Sequence, residues 1–178
     1  MTNKGNKDSS ENNEKLELIE FKKDLLNLVR VAADASGEVH EEKFFDDMSE
    51  LLCEAGVYDD IQKDPYINSR KGIRIDGWNW NKTERILSAV ITKFSNDQDL
   101  VTISKAEIEK LGKQASRFIS NINDNKFQDS LDASDPALEL AKEMSSYLTD
   151  MGVDGEEGFR PAAHKFRVII LTDHLLSE

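Results

Sequence analysis

Residues 70–95, RKGIRIDGWNWNKTERILSAVITKFS, decide the fold because they contain two extended segments joined by a turn. In residues 72–80, apolar and polar side chains alternate, which is the period of a half-buried strand. Residues 81–83 supply a turn, and residues 85–94 are rich in β-branched and apolar side chains, which favours a longer, more central strand. The stretch therefore predicts a β-hairpin, and residues 65–67 leave room for a short strand before it.

Two amphipathic helices are predicted upstream of this hairpin. Apolar side chains at steps of three and four residues define one face of the first helix, which the dipeptide 36–37 ends: Leu18, Phe21, Leu25, Leu28 and Ala32. The second helix points another apolar set inward, with Gly56 as its C-terminal stop: Phe44, Phe45, Met48, Leu51, Leu52 and Ala55. The two helices are expected to pack as neighbours.

Helical patterns resume downstream of the hairpin. Ser104 and Glu107 form a capping box that opens a helix whose apolar stripe continues to Ile122. Asp135 as N-cap, followed by Pro136, opens another helix, which stops near residue 152. A loop rich in Gly and Glu at 154–161 then leads to a last strand at 166–172, whose unbroken apolar centre predicts burial on both faces.

The resulting order is helix, helix, short strand, strand, strand, helix, helix, strand. Such alternation predicts an α/β (α+β) fold, in which a small mixed sheet is flanked by helices. Residues 1–13 are polar and are expected to form a disordered tail, and residues 14–178 a single domain.

Composition narrows the possible functions. The chain has 178 residues and a net charge of −12, which argues against a non-specific nucleic-acid binder but leaves room for a local basic site. A single cysteine, Cys53, excludes an internal disulfide framework. The chain has no apolar run of about 18 residues and no secretory signal, so we expect a cytoplasmic protein and no membrane partner.

Four stretches in a fixed order resemble a known family. The first is EVHEEKFFDDMSELLCEAG at 38–56, which the acidic YDD at 58–60 follows, and the second is the hairpin at 70–95. The third is TISKAEIEKLGKQASRFI at 102–119, and the fourth is VIILTDHLLS at 168–177. Together they resemble the N-terminal domain of the AIPR family, the bacterial abortive-infection phage-resistance proteins, over residues 16–177. The resemblance implies a role in phage defence. Family members are usually much longer, so we expect that a C-terminal portion is absent.

The element order also resembles the core of PD-(D/E)xK nucleases. In that fold an Asp on the second strand and an acid-x-Lys on the third strand hold Mg²⁺ and activate water. Asp76 and Lys93 occupy the corresponding strands, but Ile91 stands where the second carboxylate is required. An isoleucine cannot coordinate a metal, so the predicted catalytic and metal site is incomplete. Glu84, or else Glu41 or Glu42 on the preceding helix, are the candidates for the missing acid.

A basic window is the second candidate site. Residues 63–93 contain seven basic and three acidic side chains, a local balance of +4 in an acidic chain. Basic side chains contact phosphates and tryptophans stack on bases, so a nucleic-acid surface is one interpretation. The alternative, which is favoured, is that both tryptophans cover the core and the basic residues pair with acidic helices of this chain or of a second domain, since alternation places the tryptophans on one face, opposite Asn79. The candidate binding residues are Arg70, Lys71, Arg74, Trp78, Trp80, Lys82 and Arg85.

One histidine stands at the end of a predicted strand. His174 follows Asp173 at the edge of the sheet, where functional residues often lie, although a helix-capping or surface role is the favoured interpretation.

Three functions remain open. The favoured one is a non-catalytic, nuclease-like regulatory domain that needs no cofactor and binds the rest of its own chain, another subunit or a phage component. The alternatives are a Mg²⁺-dependent nuclease acting on DNA or RNA through Asp76 and Lys93, and a dimerisation module that uses Leu16, Ile19 and Leu26 on the first helix.

Overall fold

The computed structural model describes residues 7–122, 124–129, 131–133, 135–148 and 163–177. The loop expected at 154–161 and the helix stop expected near residue 152 lie outside these residues. Along the described residues the elements follow in the order α1 (Lys7–Ser36), α2 (His40–Glu54), β1 (Gln62–Asn68), β2 (Ile73–Asn81), β3 (Ile86–Lys93), β4 (Thr102–Ile103), α3 (Lys105–Ile122), α4 (Asn125–Asp129), α5 (Pro136–Leu148), β5 (Lys165–Thr172) and β6 (Leu175–Leu176).

The main sheet has four strands in the order β1-β2-β3-β5. Strands β1, β2 and β3 form an antiparallel meander, and β5 pairs with β3 in parallel. The predicted hairpin is confirmed, with Gly77 opposite Val90 and Asn81 opposite Ile86. The mixed α/β architecture expected from the sequence is therefore present, and β4 and β6 add a small parallel pair that the sequence did not predict.

Helices pack on both faces of the sheet. Ile91 belongs to the core on the α3 and α5 side, together with Phe118 and Met144. The neighbouring Val90 belongs to a second core with Phe44, on the α1 and α2 side, because successive side chains of a strand point to opposite faces. Strand β2 is consequently buried on both faces over most of its length, where alternation alone predicted a half-buried strand.

The predicted helix signals downstream of the hairpin are confirmed. The Ser104 hydroxyl accepts from the Glu107 amide at 3.3 Å, and the Glu107 carboxylate accepts from the Ser104 amide at 3.0 Å. Asp135 Oδ1 accepts from the Ala137 amide at 2.9 Å at the start of α5. Upstream of the hairpin, Gly56 follows α2 with a φ of +68°, and its amide donates to the Cys53 carbonyl. A left-handed residue of this kind ends a helix, as predicted.

Helix α1 departs from the prediction in its start and in its buried face. It begins at Lys7, within the segment expected to be a disordered tail. Its buried face is formed by Lys22, Leu26, Val29 and Ala33. Of the predicted inward stripe, Phe21 and Leu28 face solvent, at 65% and 67% exposed, whereas Leu25 is half-buried against the second core. The predicted face was wrong because the inner face includes Lys22, and a prediction from apolar periodicity places a lysine on the outer face.

Two smaller predictions also differ. Strand β5 is half-buried, not buried on both faces, because it lies at the edge of the main sheet. On α2, Phe44 and Phe45 are buried as predicted, but Leu51 is exposed. Over the described residues, no helix is both long and apolar enough to cross a membrane.

Candidate functional site

The candidate site is centred on Asp76, a buried carboxylate on β2. Strand β1 is irregular opposite it, since the register shifts between Lys63 and Tyr66, where Pro65 has no amide hydrogen to donate. On the other side, the regular pairing with β3 stops at Val90, and Asp76 Oδ2 instead accepts from the Thr92 amide at 2.6 Å. Asp76 thus replaces a backbone acceptor in the middle of the sheet.

Arg74 neutralises Asp76 from the same face of β2. Its Nε lies 3.0 Å from Oδ1 and 3.1 Å from Oδ2 of Asp76, and its Nη2 lies 2.9 Å from Oδ2. Nη2 also reaches Glu41 Oε1 on α2 at 3.0 Å. Burial alone would lower the pKa of Arg74, but the hydrogen bonds and charges of Asp76 and Glu41 outweigh it and raise that pKa. One guanidinium therefore bridges two carboxylates from different elements.

A cavity of about 120 Å³ opens beside this ion pair, which we call the Asp76 pocket. Glu41 and Glu42 from α2 form one wall, and Lys63 and Pro65 from β1 form another. The Lys63 ammonium is 2.8 Å from Asp46 Oδ2 and 4.0 Å from Glu42 Oε2, so the second acid of α2 also has a cation nearby.

The residues of the Asp76 pocket do not fit a Mg²⁺ site. Mg²⁺ needs oxygen ligands in near-octahedral order, including carboxylates free to face it. Both Asp76 oxygens face the guanidinium of Arg74, and among the described residues no group of three or more His, Cys, Asp or Glu side chains could hold a metal. The cation in contact with Asp76 is a fixed side chain of the protein itself.

The structure separates the three predicted catalytic residues. Lys93 lies beside Glu107 and Lys110 in a cavity on the α3 side, the face to which Ile91 points, whereas Asp76 lies against α2. Glu84 lies in the turn after Asn81, so it is displaced from Asp76 by five strand residues, or about 17 Å along β2. Only Glu41, one of the candidates for the missing acid, is joined to Asp76, through Arg74.

The predicted nucleic-acid residues are also not brought together. Trp78 and Trp80 cover the core, as the alternative interpretation had it: their rings lie 5.7 and 5.0 Å from that of Tyr147, and Trp78 Nε1 donates to Asp64 at 2.8 Å. The cationic candidates fall into three places. Arg70 and Lys71 lie in the β1–β2 turn, Lys82 and Arg85 in the β2–β3 turn at the other end of the strands, and Arg74 in the Asp76 pocket.

A second buried polar cluster lies at the end of β5. The Asp173 side chain is 0% exposed and accepts from the Ser95 hydroxyl at 2.7 Å and the Ser95 amide at 3.0 Å. Lys22 Nζ on α1 is 3.5 Å from Asp173 Oδ2 and donates to the Asp99 carbonyl at 2.6 Å. His174 Nδ1 is 2.8 Å from Asp173 Oδ1.

Asp173 is held as a carboxylate in this cluster. Burial would raise its pKa, but the two hydrogen bonds from Ser95 and the nearby Lys22 and His174 outweigh burial, so the pKa of Asp173 is lowered. Asp173 and His174 stand out in the sequence at the end of a predicted strand, whereas local sequence gives no signal for Lys22 and Ser95. The cluster fastens α1 to the sheet.

The pairing of Arg74 with Asp76 was also missed, although the sequence contained its signal. Residues two apart on a strand share a face, so Arg-x-Asp in the predicted strand already placed the two charges side by side. Because Arg-x-Asp is a common pattern, only the burial of Asp76 distinguishes this pair from an ordinary surface ion pair.

Comparisons with known proteins identify the family. A family model described as the abortive infection phage resistance protein N-terminal domain matches residues 44–178. Comparison with curated proteins and with solved structures gave no match. Because the family match spans more than half of the chain and all four strands of the main sheet, the chain belongs to the abortive infection phage resistance family and contains its N-terminal domain.

Proposed function

We propose that this domain acts in abortive infection as a non-catalytic regulatory domain built on a nuclease-like fold. The order α2-β1-β2-β3-α3-β5, with three antiparallel strands followed by a parallel fourth, supports the likeness to PD-(D/E)xK nuclease cores. A nuclease-like sheet without its metal chemistry is suited to recognising a partner, such as the rest of its own chain, another subunit or a phage component.

The observation that carries the proposal is the contact of Arg74 with both Asp76 and Glu41. A metal-dependent nuclease needs carboxylates that a divalent cation can reach, because the cation activates water and stabilises the developing charge. In this chain the guanidinium supplies the positive charge that those carboxylates require. It has no open coordination position, so it cannot activate a water molecule in that way.

A cleavage assay with a metal titration tests the proposal. The chain is incubated with plasmid DNA and with RNA in Mg²⁺ or Mn²⁺, beside Asp76→Ala to detect contaminating nuclease. We expect no cleavage that depends on Asp76, and no rise of the melting temperature with Mn²⁺. Cleavage that the wild-type chain performs and Asp76→Ala loses would overturn the proposal.

The variant Arg74→Gln tests the same proposal through an expected gain of stabilisation by Mn²⁺. Arg74→Gln removes the cation between Asp76 and Glu41, so we expect Mn²⁺ to raise the melting temperature of this variant but not that of the wild-type chain. Arg70→Gln is the matched control, since Arg70 is an exposed arginine in the preceding turn. Circular dichroism establishes whether Arg74→Gln is folded. A folded variant whose melting temperature does not change with Mn²⁺ would contradict the idea that the Arg74 guanidinium takes the place of a metal cation.

A second candidate function, self-association through α1, is favoured by the exposed stripe on that helix. Leu18, Phe21 and Leu28 are the exposed members of this stripe. The half-buried Leu25 and Ala32 continue its spacing of three and four residues, which is the heptad pattern of helices that pair. The surface differs from the one expected from the sequence, because Leu26 is buried.

Light scattering over a range of protein concentrations tests this candidate. Pairing predicts a mass that rises from 20.1 kDa towards twice that value, and a loss of the rise in Leu28→Glu. Val57→Glu, at another exposed apolar position, is the control and should behave like the wild-type chain. A mass that stays constant at all concentrations would exclude self-association.

A further inference from the structure

A groove runs between the exposed face of α3 and the β1–β2 turn, and it adjoins the Asp76 pocket at Ile67 and Arg74, which line both cavities. It consists of two adjoining cavities of about 300 and 520 Å³, which share Ser69, Lys110 and Gln114 in their walls. Lys93 lies at one end of this α3 groove and Arg117 at the other. Lys93 and Arg74 were candidate site residues in the sequence, but the residues that α3 contributes to these cavities were not.

The α3 groove is strongly cationic although the chain has a net charge of −12. Within the described part of the chain, no carboxylate oxygen lies within 4.0 Å of the charged nitrogens of Lys93, Lys110, Lys113 or Arg117. Arg70 and Lys71 lie in the adjacent turn and are exposed. The walls of the two cavities contain one acidic side chain, Glu107, and one cation that is already ion-paired, Arg74.

Glu107 is engaged in capping α3. Its carboxylate accepts from the amide of Ser104 at 3.0 Å and from the hydroxyl at 2.9 Å, and these contacts lower the pKa of Glu107. The neighbouring Lys93 lowers it further. Because this carboxylate has its own partners, it does not neutralise the cations further along α3.

The cations of α3 form a row. Lys110, Lys113 and Arg117 are three and four residues apart, so they share one face of the helix and follow one another at steps of about 5–6 Å. Arg117 Nη1 lies 3.4 Å from the Gly72 carbonyl oxygen and closes the far end. Gly72 has no side chain, and a Cβ there would meet this guanidinium.

The α3 groove also contains an accessible apolar side chain. Ile67 is 59% exposed and lies beside Ile73 and Leu111. A ligand in the groove would therefore place regularly spaced negative charges against α3 and less polar parts against Ile67. A single strand of nucleic acid has this character, with one phosphate per nucleotide and sugars and bases between them.

We propose that the α3 groove binds the phosphodiester backbone of a nucleic-acid strand. A row of lysines without ion pairs suits phosphates, which lysine contacts as a point charge, and the regular spacing favours a polymer of uniform charge over an acidic protein segment. This binding does not depend on the proposed non-catalytic role, since it uses the cations of α3 and requires no metal.

Fluorescence anisotropy tests the groove with labelled single-stranded RNA and DNA of one sequence, and with a labelled polyglutamate peptide. We expect both strands to bind at low salt, and the triple variant Lys110→Gln, Lys113→Gln, Arg117→Gln to bind about tenfold more weakly or worse. The slope of log affinity against log salt should fall by about 2, since each lost phosphate contact contributes about 0.7 for single strands. The control is the triple variant Lys15→Gln, Lys23→Gln, Lys142→Gln, which removes three exposed lysines outside the groove and should leave affinity unchanged.

The outcomes separate the possibilities. Binding of either strand that the triple variant of α3 weakens supports the proposal. Absence of binding at low salt, or binding that the triple variant of α3 leaves intact, overturns it. Polyglutamate that binds as tightly as the strands, with the same sensitivity to the variant, would assign the groove to an acidic protein segment instead. The cleavage assay is read separately, so a bound but uncut strand is consistent with both proposals.

Discussion

Removal of the Lys22 cation should destabilise the fold substantially, because Lys22 and Asp173 form a buried ion pair. The two side chains are 4% and 0% exposed, so water cannot replace the lost partner. Breaking a buried pair from one side costs about 3–5 kcal/mol. In Lys22→Met, Asp173 keeps its two hydrogen bonds from Ser95 and the contact with His174, so we expect the lower end, about 3 kcal/mol.

Urea unfolding followed by tryptophan fluorescence measures this loss, since Trp78 and Trp80 lie in the core cluster or against it. For a chain of this length, about 3 kcal/mol also lowers the melting temperature by roughly 6–12 °C. Lys23→Met is the matched control, because Lys23 is exposed on the neighbouring position of α1 and should change stability by less than about 0.5 kcal/mol. Equal stability of the two variants would refute the assignment of Lys22 as a buried counter-ion.

Further predictions concern Asp173 and two glycines. Because the folded pKa of Asp173 is lowered, its contribution to stability is complete above the unfolded value of about 3.9 and is lost as pH falls through the folded pKa. Asp173→Asn should therefore flatten the dependence of the unfolding free energy on pH below about 4. The same slope in the variant and the wild-type chain would contradict this. Gly77→Ala should cost about 3 kcal/mol or more in urea unfolding, because a Cβ there meets the Gln62 carbonyl and the Phe45 ring. Gly112→Ala should instead stabilise α3 by about 0.5–1 kcal/mol, since a Cβ there meets open space, and a loss in the same assay would count against this.

The elements that sequence predicted well are those whose signals are local. Ser104 and Glu107 are three residues apart, and their contact needs only the helix that they start. The hairpin at 70–95 is a similar case, because alternation and a turn are properties of adjacent residues. The tryptophans were correctly placed on one face by the same alternation.

The buried face of α1 could not be predicted from local sequence. Lys22 is inward because Asp173 and the Asp99 carbonyl, both distant along the chain, receive its charge. A helix with a lysine on its inner face and leucines on its outer face reverses the usual pattern. The positions of Asp173 and the Asp99 carbonyl therefore determine which face of α1 is buried.

The sequence pointed to Asp76 as a metal ligand and to Glu84, Glu41 or Glu42 as the missing acid. The structure places Asp76 in the interior of the sheet and joins Glu41 to it through Arg74, a contact that the sequence did not predict. The sequence could not place Lys93 on the opposite face from Asp76, since the pairing of β2 with β1 and β3 becomes irregular at Asp76 itself. A change of register by one residue reverses the direction of every side chain beyond it.

The fastening of α1 has a consequence for how the chain acquires its structure during synthesis. Lys22 emerges from the ribosome early, but Asp173 emerges only when nearly all of the described residues have been made. Until then, α1 would have a lysine with no counter-charge on the side that it must bury. We therefore expect α1 to dock late, only after Asp173 has been made, and the nascent protein to expose leucines on both sides of this helix until then.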